Sequence, residues 1–477
     1  MKTRNALFTD LYQLTMAQTY FDQGLHDAQA DFYWHFRNNP FHGGYSVFCG
    51  SHDLARILAD FRFDQTDIDY LAGLTDPTGA ALFSKDFLNY LTKMELGLRI
   101  ELPREGELVF PYEPLCKVEG PLLQAQLVET LILNTLNFET LIATKAARIC
   151  AAAEGRPVAE FGLRRAQGQN GGDAASYAAC VGGCASTSNL QAGAIYQLPV
   201  SGTHAHSLVM SFKDELTAFR AYVKSYPRGA ILLVDTYDVA SGIANAITVA
   251  HEMEKRGERL AGIRIDSGDL AWLSKQARQA LDAAGLSYVK ITVSNNLDEY
   301  TISSLLGEQG ATIDSFGVGT KLATAFDEPA LSGIYKLSRI RRPSEEWQPV
   351  LKLTAQLQKS TLPGDLDLLR YYDAAGEMIG DLVFDRSQTT TDQPQPAYII
   401  DPFNELRQKD LSKGTGQRIL MPLAQSAKEA PLDVARQLEH LGESNRRLLN
   451  PHSYPVGLDR KLHQTRDQLL HMHRPRP

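Results

Sequence analysis

The sequence has no apolar run that approaches the roughly 20 residues needed for a membrane-spanning helix, so no membrane segment is expected. Its N-terminal stretch lacks the apolar core and the small-residue cleavage site of a secretory signal, which predicts a cytoplasmic protein. The five cysteines are scattered and do not have the spacing of a zinc site. They favour reduced thiols over a disulfide framework.

The sequence also lacks a basic surplus, because 48 Lys and Arg residues stand against 56 Asp and Glu residues. Proteins that bind nucleic acid broadly usually carry such a surplus, so nucleic acid is not an expected partner. A small phosphate-bearing ligand is compatible with this charge, because it needs only a few cations and backbone N–H groups in one place. A length of 477 residues predicts more than one domain.

A short apolar run, a polar or glycine-containing turn and a helical stretch recur through the middle of the sequence. This order is typical of parallel α/β folds, in which active-site residues lie at the carboxyl ends of the strands. Six strands are predicted, a number that favours a barrel over an open sheet. The runs that predict them cover residues 157–165, 196–207, 230–238, 260–269, 288–296 and 311–320.

Three parts of the chain are expected to fold differently. Residues 131–344 are predicted to form an α/β barrel that carries the catalytic site. Residues 1–130 are predicted to form a separate N-terminal α/β domain, because Pro and Gly punctuate helical and strand-like segments there. The strand-rich stretch 345–400 is expected to complete that domain. Residues 401–477 are predicted to form a helical C-terminal appendage.

Two of the predicted strand ends suit a phosphorylated sugar. GVGTKL offers small residues and free backbone N–H groups where a helix begins, which suits an anion, although glycine turns are common without that role. In RIDSGD, Asp266 suits a positively charged sugar intermediate and Arg264 suits an acidic substrate. A salt-bridged barrel interior explains the same two residues equally well.

The segment THAHS places His204 and His206 on either side of an alanine at a predicted strand end, where alternate side chains share one face. A lone histidine is more often a satisfied core residue than a catalyst. Asp235 at the next strand tip is placed to orient an imidazole and to keep one ring nitrogen nucleophilic. By themselves these residues support an enzyme that acts on a phosphorylated small molecule.

Nine motifs in order resemble the nicotinate phosphoribosyltransferase family, from about residue 7 to residue 370, and the similarity resumes in PHSYPVGLD. The resemblance implies the type II phosphoribosyltransferase fold, which is an irregular TIM-like α/β barrel on a discontinuous N-terminal domain. It also implies an obligate homodimer in which the active site is shared between subunits. The motifs are TDLYQLTMAQTYF, FRNNPFHGGYSVFCG, FGLRRAQG, TSN, GTHAHS, VDTYDV, GIRIDSGDL, VSNNLDE and DSFGVGTKL.

The resemblance implies how a pyridine ring is held. Phe161 is similar to the residue on which the ring stacks, and Tyr12 to the tyrosine that covers the other face from the partner subunit. Arg264 is similar to the arginine that meets the substrate carboxylate. Ser188 stands where the related nicotinamide enzyme carries an aspartate. A carboxylate there would repel the carboxylate of nicotinate, so serine favours the acid over the amide.

The resemblance also implies a phosphate side. His206 aligns with the histidine that ATP phosphorylates, Asp235 with its partner, and Asp266 with the ribose-side carboxylate. Arg164 resembles an arginine near the phosphates, and Asn296, Gly319 and Thr320 match the pocket for the 5-phosphate. The other residues of the expected substrate site are Thr203, Ser294 and Gly317.

One departure from the family concerns the pyrophosphate. The family usually has a lysine where Asp365 stands, so this side of the site is expected to use Lys352 and Lys359 instead. Cys184 stands where a bulkier residue is common.

The implied reaction joins nicotinate to 5-phosphoribosyl 1-pyrophosphate and gives nicotinate mononucleotide and pyrophosphate. ATP is hydrolysed through a phosphohistidine at His206, and Mg²⁺ bridges the pyrophosphate through substrate oxygens and water. The alternatives are a sister enzyme for nicotinamide or quinolinate, and a barrel that only binds the nucleotide. Ser188 weighs against the amide, and the two carboxylates of quinolinate would need more cations. His206 together with Asp235 weighs against a binding-only protein.

Overall fold

The computed structural model describes residues 5–353, 361–389 and 398–473. The chain forms two compact units: unit 1 is Met1–Thr140 with Ala330–Pro477, and unit 2 is Leu141–Pro329. No helix within the described ranges is long and apolar enough to cross a membrane.

Unit 1 is built from strands and short helices contributed by both ends of the chain. Its N-terminal elements are α1 Leu11–Asp22, β1 Gln29–Phe36, β2 Ser46–Val47, α2 Ser51–Ala59, α3 Gln65–Ala72, α4 Lys85–Lys93, β3 Arg99–Leu102, β4 Leu108–Val109, β5 Cys116–Pro121, α5 Leu122–Leu127 and α6 Glu129–Ala152, which runs on past residue 140.

Unit 2 alternates strands with helices, as its sequence pattern predicts. Its elements are β6 Val158–Glu160, α7 Gly168–Val181, β7 Ser186–Thr187, α8 Leu190–Tyr196, α9 His206–Met210, α10 Glu215–Ser225, β8 Ile231–Leu233, α11 Val239–Glu254, β9 Gly262–Ile265, α12 Leu270–Ala283, β10 Lys290–Ser294, α13 Glu299–Ser303, a π-helical turn at Ser304–Glu308, β11 Ser315–Val318 and α14 Thr320–Ala323.

The chain then returns to unit 1. The remaining elements are β12 Gly333–Arg341, β13 Gln348–Pro349, β14 Leu366–Tyr372, β15 Met378–Asp385, β16 Tyr398–Asp401, β17 Asn404–Asp410, β18 Thr415–Arg418, β19 Met421–Pro422, α15 Leu423–Ser426, α16 Val434–Glu439, β20 Val456–Leu458 and α17 Arg460–His473.

Two six-stranded sheets organise unit 1, in the orders β13-β12-β1-β5-β3-β19 and β17-β16-β20-β15-β14-β18. β1 pairs antiparallel with both β12 and β5, and nearly all of its residues are buried. Its run of aromatic residues, QADFYWHF, is typical of a strand buried on both faces. In the second sheet, Leu369 of β14 and Leu382 and Phe384 of β15 pack in one apolar cluster.

Residues 401–477 do not form a purely helical appendage. Within this stretch β17, β18 and β20 join the sheet that holds β14 and β15, and β19 joins the other sheet. The prediction was wrong because these strands are short and β17 is fully exposed, so they lack the alternating apolar pattern of a half-buried strand.

Unit 2 contains one parallel sheet with the order β7-β6-β11-β10-β9-β8. Five of the six predicted runs contain its strands. The sixth, residues 196–207, does not: it holds the end of α8, a loop and the start of α9, and the sixth strand is instead β7. An isolated parallel bridge between Val200 and Thr187 connects that run to β7.

Several acidic residues at the strand tips begin the helices that follow. The side chain of Asp238 accepts a hydrogen bond from the backbone of Ser241 as the N-cap of α11. Asp269 caps α12 and Asp298 caps α13 in the same way. These caps bond N–H groups that have no partner inside the helix, so part of the charge at the strand tips is structural.

Candidate active site

The six parallel strands of unit 2 end at one edge of their sheet, so the residues that follow them lie near one another. Strand β9 carries Arg264 and is followed by Asp266, β10 ends at Ser294, and β6 is followed by Phe161. The fold brings most of the predicted residues at these tips close together.

Arg264 is held by side chains from three directions. Its Nε donates to Ser294 Oγ at 2.9 Å and its Nη1 donates to Thr203 Oγ1 at 2.9 Å. Its Nη2 lies 3.3 Å from Asp266 Oδ1, and Ser294 Oγ also donates to that carboxylate. The guanidinium is mostly buried and therefore fixed in orientation, as a carboxylate-binding arginine needs to be.

The ring of Phe161 lies beside this arginine, with the guanidinium carbon 5.8 Å from the ring centroid. Gly317 makes room for the ring, since a Cβ built there would stand 2.6 Å from two ring carbons. The backbone N–H of Phe161 donates to Val318 O at 2.7 Å. A flat aromatic face and a fixed guanidinium therefore stand side by side, an arrangement suited to a planar acid.

His206 begins helix α9 and is the more exposed of the two histidines, at 41%. Its Nδ1 lies 3.2 Å from Thr236 Oγ1, and its Nε2 lies 3.8 Å from Asp266 Oδ2. The imidazole is therefore reachable by a substrate, with a hydroxyl on one side and a carboxylate on the other. The sequence had not singled out Thr236 as a contact of this ring.

Asp235 does not make the hydrogen bond to His206 that an imidazole-orienting role requires. Its Oδ2 accepts from the backbone N–H of Asp266 at 2.9 Å and from Ser267 Oγ at 2.6 Å. Its Oδ1 is buried and has no hydrogen-bond partner among the described residues. The carboxylate thus fixes the turn after β9, and one oxygen is left for a further contact.

His204 is buried, and its environment differs from that of His206. Its Nε2 accepts a hydrogen bond from the backbone N–H of Leu233 at 3.1 Å. Burial lowers the pKa of His204, and the nearby positive charge of Arg264 adds to that shift. The expectation that both histidines share one strand face was wrong, because this segment is a loop.

Ser188 follows β7 and is half-buried, and its backbone N–H donates to Glu160 O at 2.9 Å. The carboxylate of Glu160 accepts from Ser176 Oγ at 3.0 Å and from Thr187 Oγ1 at 2.7 Å, and also from the backbone of Gly162. Sequence reasoning missed Glu160, because a single buried glutamate has no motif that marks it as an anchor.

The candidates for a phosphate pocket lie at the ends of β10 and β11. Asn296 is exposed and has a φ of 47°, and its neighbour Asn295 has a φ of 102°. Two successive non-glycine residues with positive φ are strained, and such strain is concentrated at functional sites. Gly319 and Thr320 are half-buried where α14 begins. Next to Thr320, Lys321 forms an ion pair with Asp298.

The remaining predicted residues stand apart from these contacts. Arg164 lies in a short 3₁₀ turn after β6, is exposed, and forms no ion pair among the described residues. Tyr12 belongs to α1 in unit 1 and is 49% exposed. Its role against a pyridine ring stays a prediction. Lys352 is an exposed residue of unit 1, and Lys359 lies outside the described residues.

Asp365, the residue that departs from the family, lies in an ion-pair cluster of unit 1. It pairs with Lys117, with Arg339 at 3.2 Å and with Arg386 at 3.2 Å. Burial alone would raise the pKa of Asp365, but these three cations outweigh burial and lower it. The carboxylate is therefore ionised and structurally committed.

Comparison with known proteins gives the class first. The structure aligns with the crystal structure of human nicotinic acid phosphoribosyltransferase with a TM-score of 0.82 and 29% sequence identity. The alignment covers 97% of this chain and 100% of the human chain. The mixed α/β fold with its parallel sheet is thus that of a phosphoribosyltransferase enzyme.

Sequence relatives then give the family. Family profiles match over residues 7–137 (nicotinate phosphoribosyltransferase N-terminal domain), 157–370 (nicotinate phosphoribosyltransferase family) and 367–466 (C-terminal domain). Nicotinate phosphoribosyltransferase of Bacillus subtilis is 39% identical, and the match covers 98% of this chain and 95% of that protein. The Homo sapiens enzyme is 33% identical, with 96% and 95% covered. This chain belongs to the nicotinate phosphoribosyltransferase family.

Proposed function

We propose that the chain converts nicotinate and 5-phosphoribosyl 1-pyrophosphate to nicotinate mononucleotide and pyrophosphate, and couples this transfer to ATP hydrolysis through a phosphohistidine at His206. The fixed guanidinium of Arg264 beside the ring of Phe161 is the observation that carries the substrate assignment. We propose that the enzyme acts in the cytoplasm. We also expect it to form a homodimer with an irregular TIM-like barrel in each subunit.

Nicotinate is a flat ring with one carboxylate, and the site offers one partner for each part. Its carboxylate pairs with Arg264, and its ring stacks on Phe161. Ser188 brings no charge to the site, whereas an aspartate there would repel the substrate's carboxylate. Tyr12 of a second copy covers the opposite face of the ring in this proposal.

The transfer step forms a bond between the pyridine nitrogen and C1 of the ribose as pyrophosphate leaves. Positive charge builds on the sugar in this step, and the carboxylate of Asp266 stabilises it. Asp266 is held for this task by Ser294 and Arg264, and its own backbone N–H is fixed by Asp235. The 5-phosphate is assigned to Asn296, Gly319 and Thr320, with Arg164 near the phosphates.

The ATP step uses His206 as nucleophile. With the Nδ1 proton donated to Thr236 Oγ1, Nε2 carries the lone pair that attacks the terminal phosphorus of ATP. The Nε2–P bond forms as the bond to the bridging oxygen breaks, and ADP departs. Water later cleaves the Nε2–P bond and releases phosphate. The exposure of the imidazole supports this role, since ATP must reach the ring.

Mg²⁺ would neutralise the pyrophosphate as it leaves. Carboxylate oxygens and water are suitable ligands for this ion, and the buried, unpartnered Oδ1 of Asp235 fits that preference. Most of its ligands would be substrate oxygens and water.

Unit 1 holds cations that support an anion-binding role despite the loss of the family's lysine at Asp365. Burial lowers the pKa of Lys336, the carboxylate of Glu129 offsets part of that shift, and the neighbouring charges of Lys352 and Arg37 lower the pKa further. We keep Lys352 and Lys359 as the proposed contacts of the pyrophosphate.

Turnover with each pyridine tests the assignment. The purified chain is mixed with 5-phosphoribosyl 1-pyrophosphate and Mg²⁺, with nicotinate or nicotinamide, and with or without ATP. Mononucleotide from the acid that increases with ATP is the expected result. Product from the amide would overturn the substrate assignment, and no effect of ATP would overturn the coupling. No product from either pyridine would favour a protein that only binds the nucleotide.

A further inference from the structure

We propose that His204 is a positioning residue that holds the loop carrying His206 and Thr203 in place by accepting a hydrogen bond from strand β8. The proposal deepens the proposed function, because that loop presents the nucleophile of the ATP step and one partner of the nicotinate arginine.

The first observation is the direction of the Leu233 N–H group. Strand β8 comes last in the order of the parallel sheet, and its backbone pairs with β9 on one side, where Val234 N–H donates to Arg264 O at 3.1 Å. Successive N–H groups of a strand point to opposite sides, so the N–H of Leu233 points away from β9. It donates to Nε2 of His204 at 3.1 Å.

The second observation is that the same segment bonds to the strand at the other end of the order. Thr187 of β7 exchanges backbone hydrogen bonds of 3.0 Å with Pro199 and Ser201. Five residues further on from Pro199, the His204 side chain reaches β8. A segment with no strand of its own thus contacts both terminal strands, and an imidazole replaces the backbone acceptor that a neighbouring strand would offer.

The third observation is how the imidazole itself is held. Its ring packs edge-on against Tyr222 of α10 at 4.7 Å and lies 6.2 Å from the ring of Phe219. Because the N–H of Leu233 donates to Nε2, that nitrogen must be unprotonated. The ring is therefore neutral and carries its hydrogen on Nδ1. Protonation would remove the acceptor and bury a cation near Arg264 and His206.

Two residues close to His204 in the sequence depend on the position of this loop. Thr203, one residue before it, accepts a hydrogen bond from Arg264, and His206, two residues after it, contacts Thr236 and Asp266. Loss of the Leu233 bond would leave a buried N–H without a partner, so the loop must shift to solvate it. Both flanking residues would move with it.

Two substitutions separate the acceptor from the ring. His204→Leu keeps apolar volume and has no acceptor, whereas His204→Gln places an amide oxygen near the position of Nε2. We expect His204→Leu to lower kcat/KM for ATP-coupled turnover of nicotinate by about tenfold or more, and His204→Gln to stay within about threefold of the wild type. His251→Leu is the matched control, because His251 is a partly exposed histidine of α11.

The pH profile of kcat/KM and the NMR signal of the imidazole depend on the protonation of His204. A role of His204 in stability alone would not change them. The acid limb of kcat/KM that reports protonation of His204 should be lost in His204→Gln. In the ¹⁵N-labelled wild type, Nε2 of His204 should resonate as an unprotonated nitrogen at neutral pH. Thermal unfolding of each variant checks that it folds.

Equal activity of the leucine and glutamine variants, whether both high or both low, would overturn the proposal. A protonated Nε2 would do the same. If the wild type forms no phosphohistidine, the ATP coupling fails instead. The ATP-independent transfer activity of the variants and the NMR signal of the wild type then still test the positioning role of His204.

Discussion

The carboxylate of Asp235 accepts the backbone N–H of Asp266 at 2.9 Å, and so one acidic residue fixes the position of the other. Ser267 Oγ donates to the same oxygen at 2.6 Å. The role of Asp235 that these contacts support is to hold the turn after β9, which carries the proposed ribose-side carboxylate of Asp266.

Asp235→Asn should therefore be much milder than Asp235→Ala. Asparagine keeps an acceptor for the N–H of Asp266, whereas alanine leaves that N–H without a partner. We expect kcat to fall by about tenfold to hundredfold more in the alanine variant than in asparagine. Steady-state kinetics with nicotinate measures both. Equal losses would instead indicate that the negative charge of Asp235 is what matters.

His206→Ala should abolish ATP coupling and leave a slower transfer that does not depend on ATP. The reason is that the proposed nucleophile for phosphorus is removed while Arg264, Phe161 and Asp266 remain. Radiolabelled phosphate incorporated from ATP and mononucleotide formation are measured on the same sample. His251→Ala serves as the control, and loss of both activities in His206→Ala would contradict this division of roles.

Gly317→Ala should weaken nicotinate binding. An added Cβ would stand 2.6 Å from ring carbons of Phe161, so the ring must turn away from its present position. We expect KM for nicotinate to rise by about tenfold. Gly307→Ala is the matched control, because a Cβ at Gly307 meets nothing within 4 Å. An unchanged KM in Gly317→Ala would argue against stacking on Phe161.

Ser188→Asp should shift preference from the acid toward the amide. The new carboxylate would stand near that of nicotinate at a half-buried position, and the repulsion should raise KM for nicotinate by about tenfold to hundredfold. Nicotinamide has no such charge. The ratio of kcat/KM for the two pyridines is the measurement, and Ser188→Asn is the neutral control. An unchanged ratio would show that Ser188 does not determine the preference for the acid over the amide.

Glu113→Gln should stabilise the protein at mildly alkaline pH. Burial raises the pKa of Glu113 well above its usual range, and the neighbouring Asp381 adds to the shift. The folded chain therefore keeps a proton that the unfolded chain loses above about pH 4.3, and the free energy of unfolding falls as pH rises above that value. Glutamine carries no such proton, so its unfolding free energy should fall less between pH 5 and pH 8.

Chemical denaturation at the two pH values measures this difference. Glu346→Gln, at an exposed position, is the control. A wild type whose stability falls no more than that of Glu113→Gln would show that Glu113 is ionised in the folded chain.

The sequence predicted the strand tips of unit 2 well, because each strand there is a short apolar run followed by polar residues. It did not predict which tip residues touch. Asp235 and Asp238 lie three residues apart after β8, yet one fixes a neighbouring turn and the other caps a helix. Such partners depend on the register between strands and on neighbouring elements, which local pattern does not encode.

The two histidines show the same limit. An alternating H-x-H pattern predicted a shared face, but His204 is buried against β8 and His206 is exposed at the start of a helix. The strands after residue 400 were missed because they are short, and β17 is exposed throughout, so the hydrophobic period that marks a strand is absent.

The cluster around Asp365 restricts which side chains this position can accept. A single substitution to the lysine that is usual in the family would set a fourth cation against Lys117, Arg339 and Arg386 and would remove their shared anion. The other carboxylates of the cluster, Asp31 for Lys117 and Arg339 and Glu101 for Arg386, would then have to balance the added charge. The effect of a lysine at position 365 therefore depends on the whole charge network and not on that position alone.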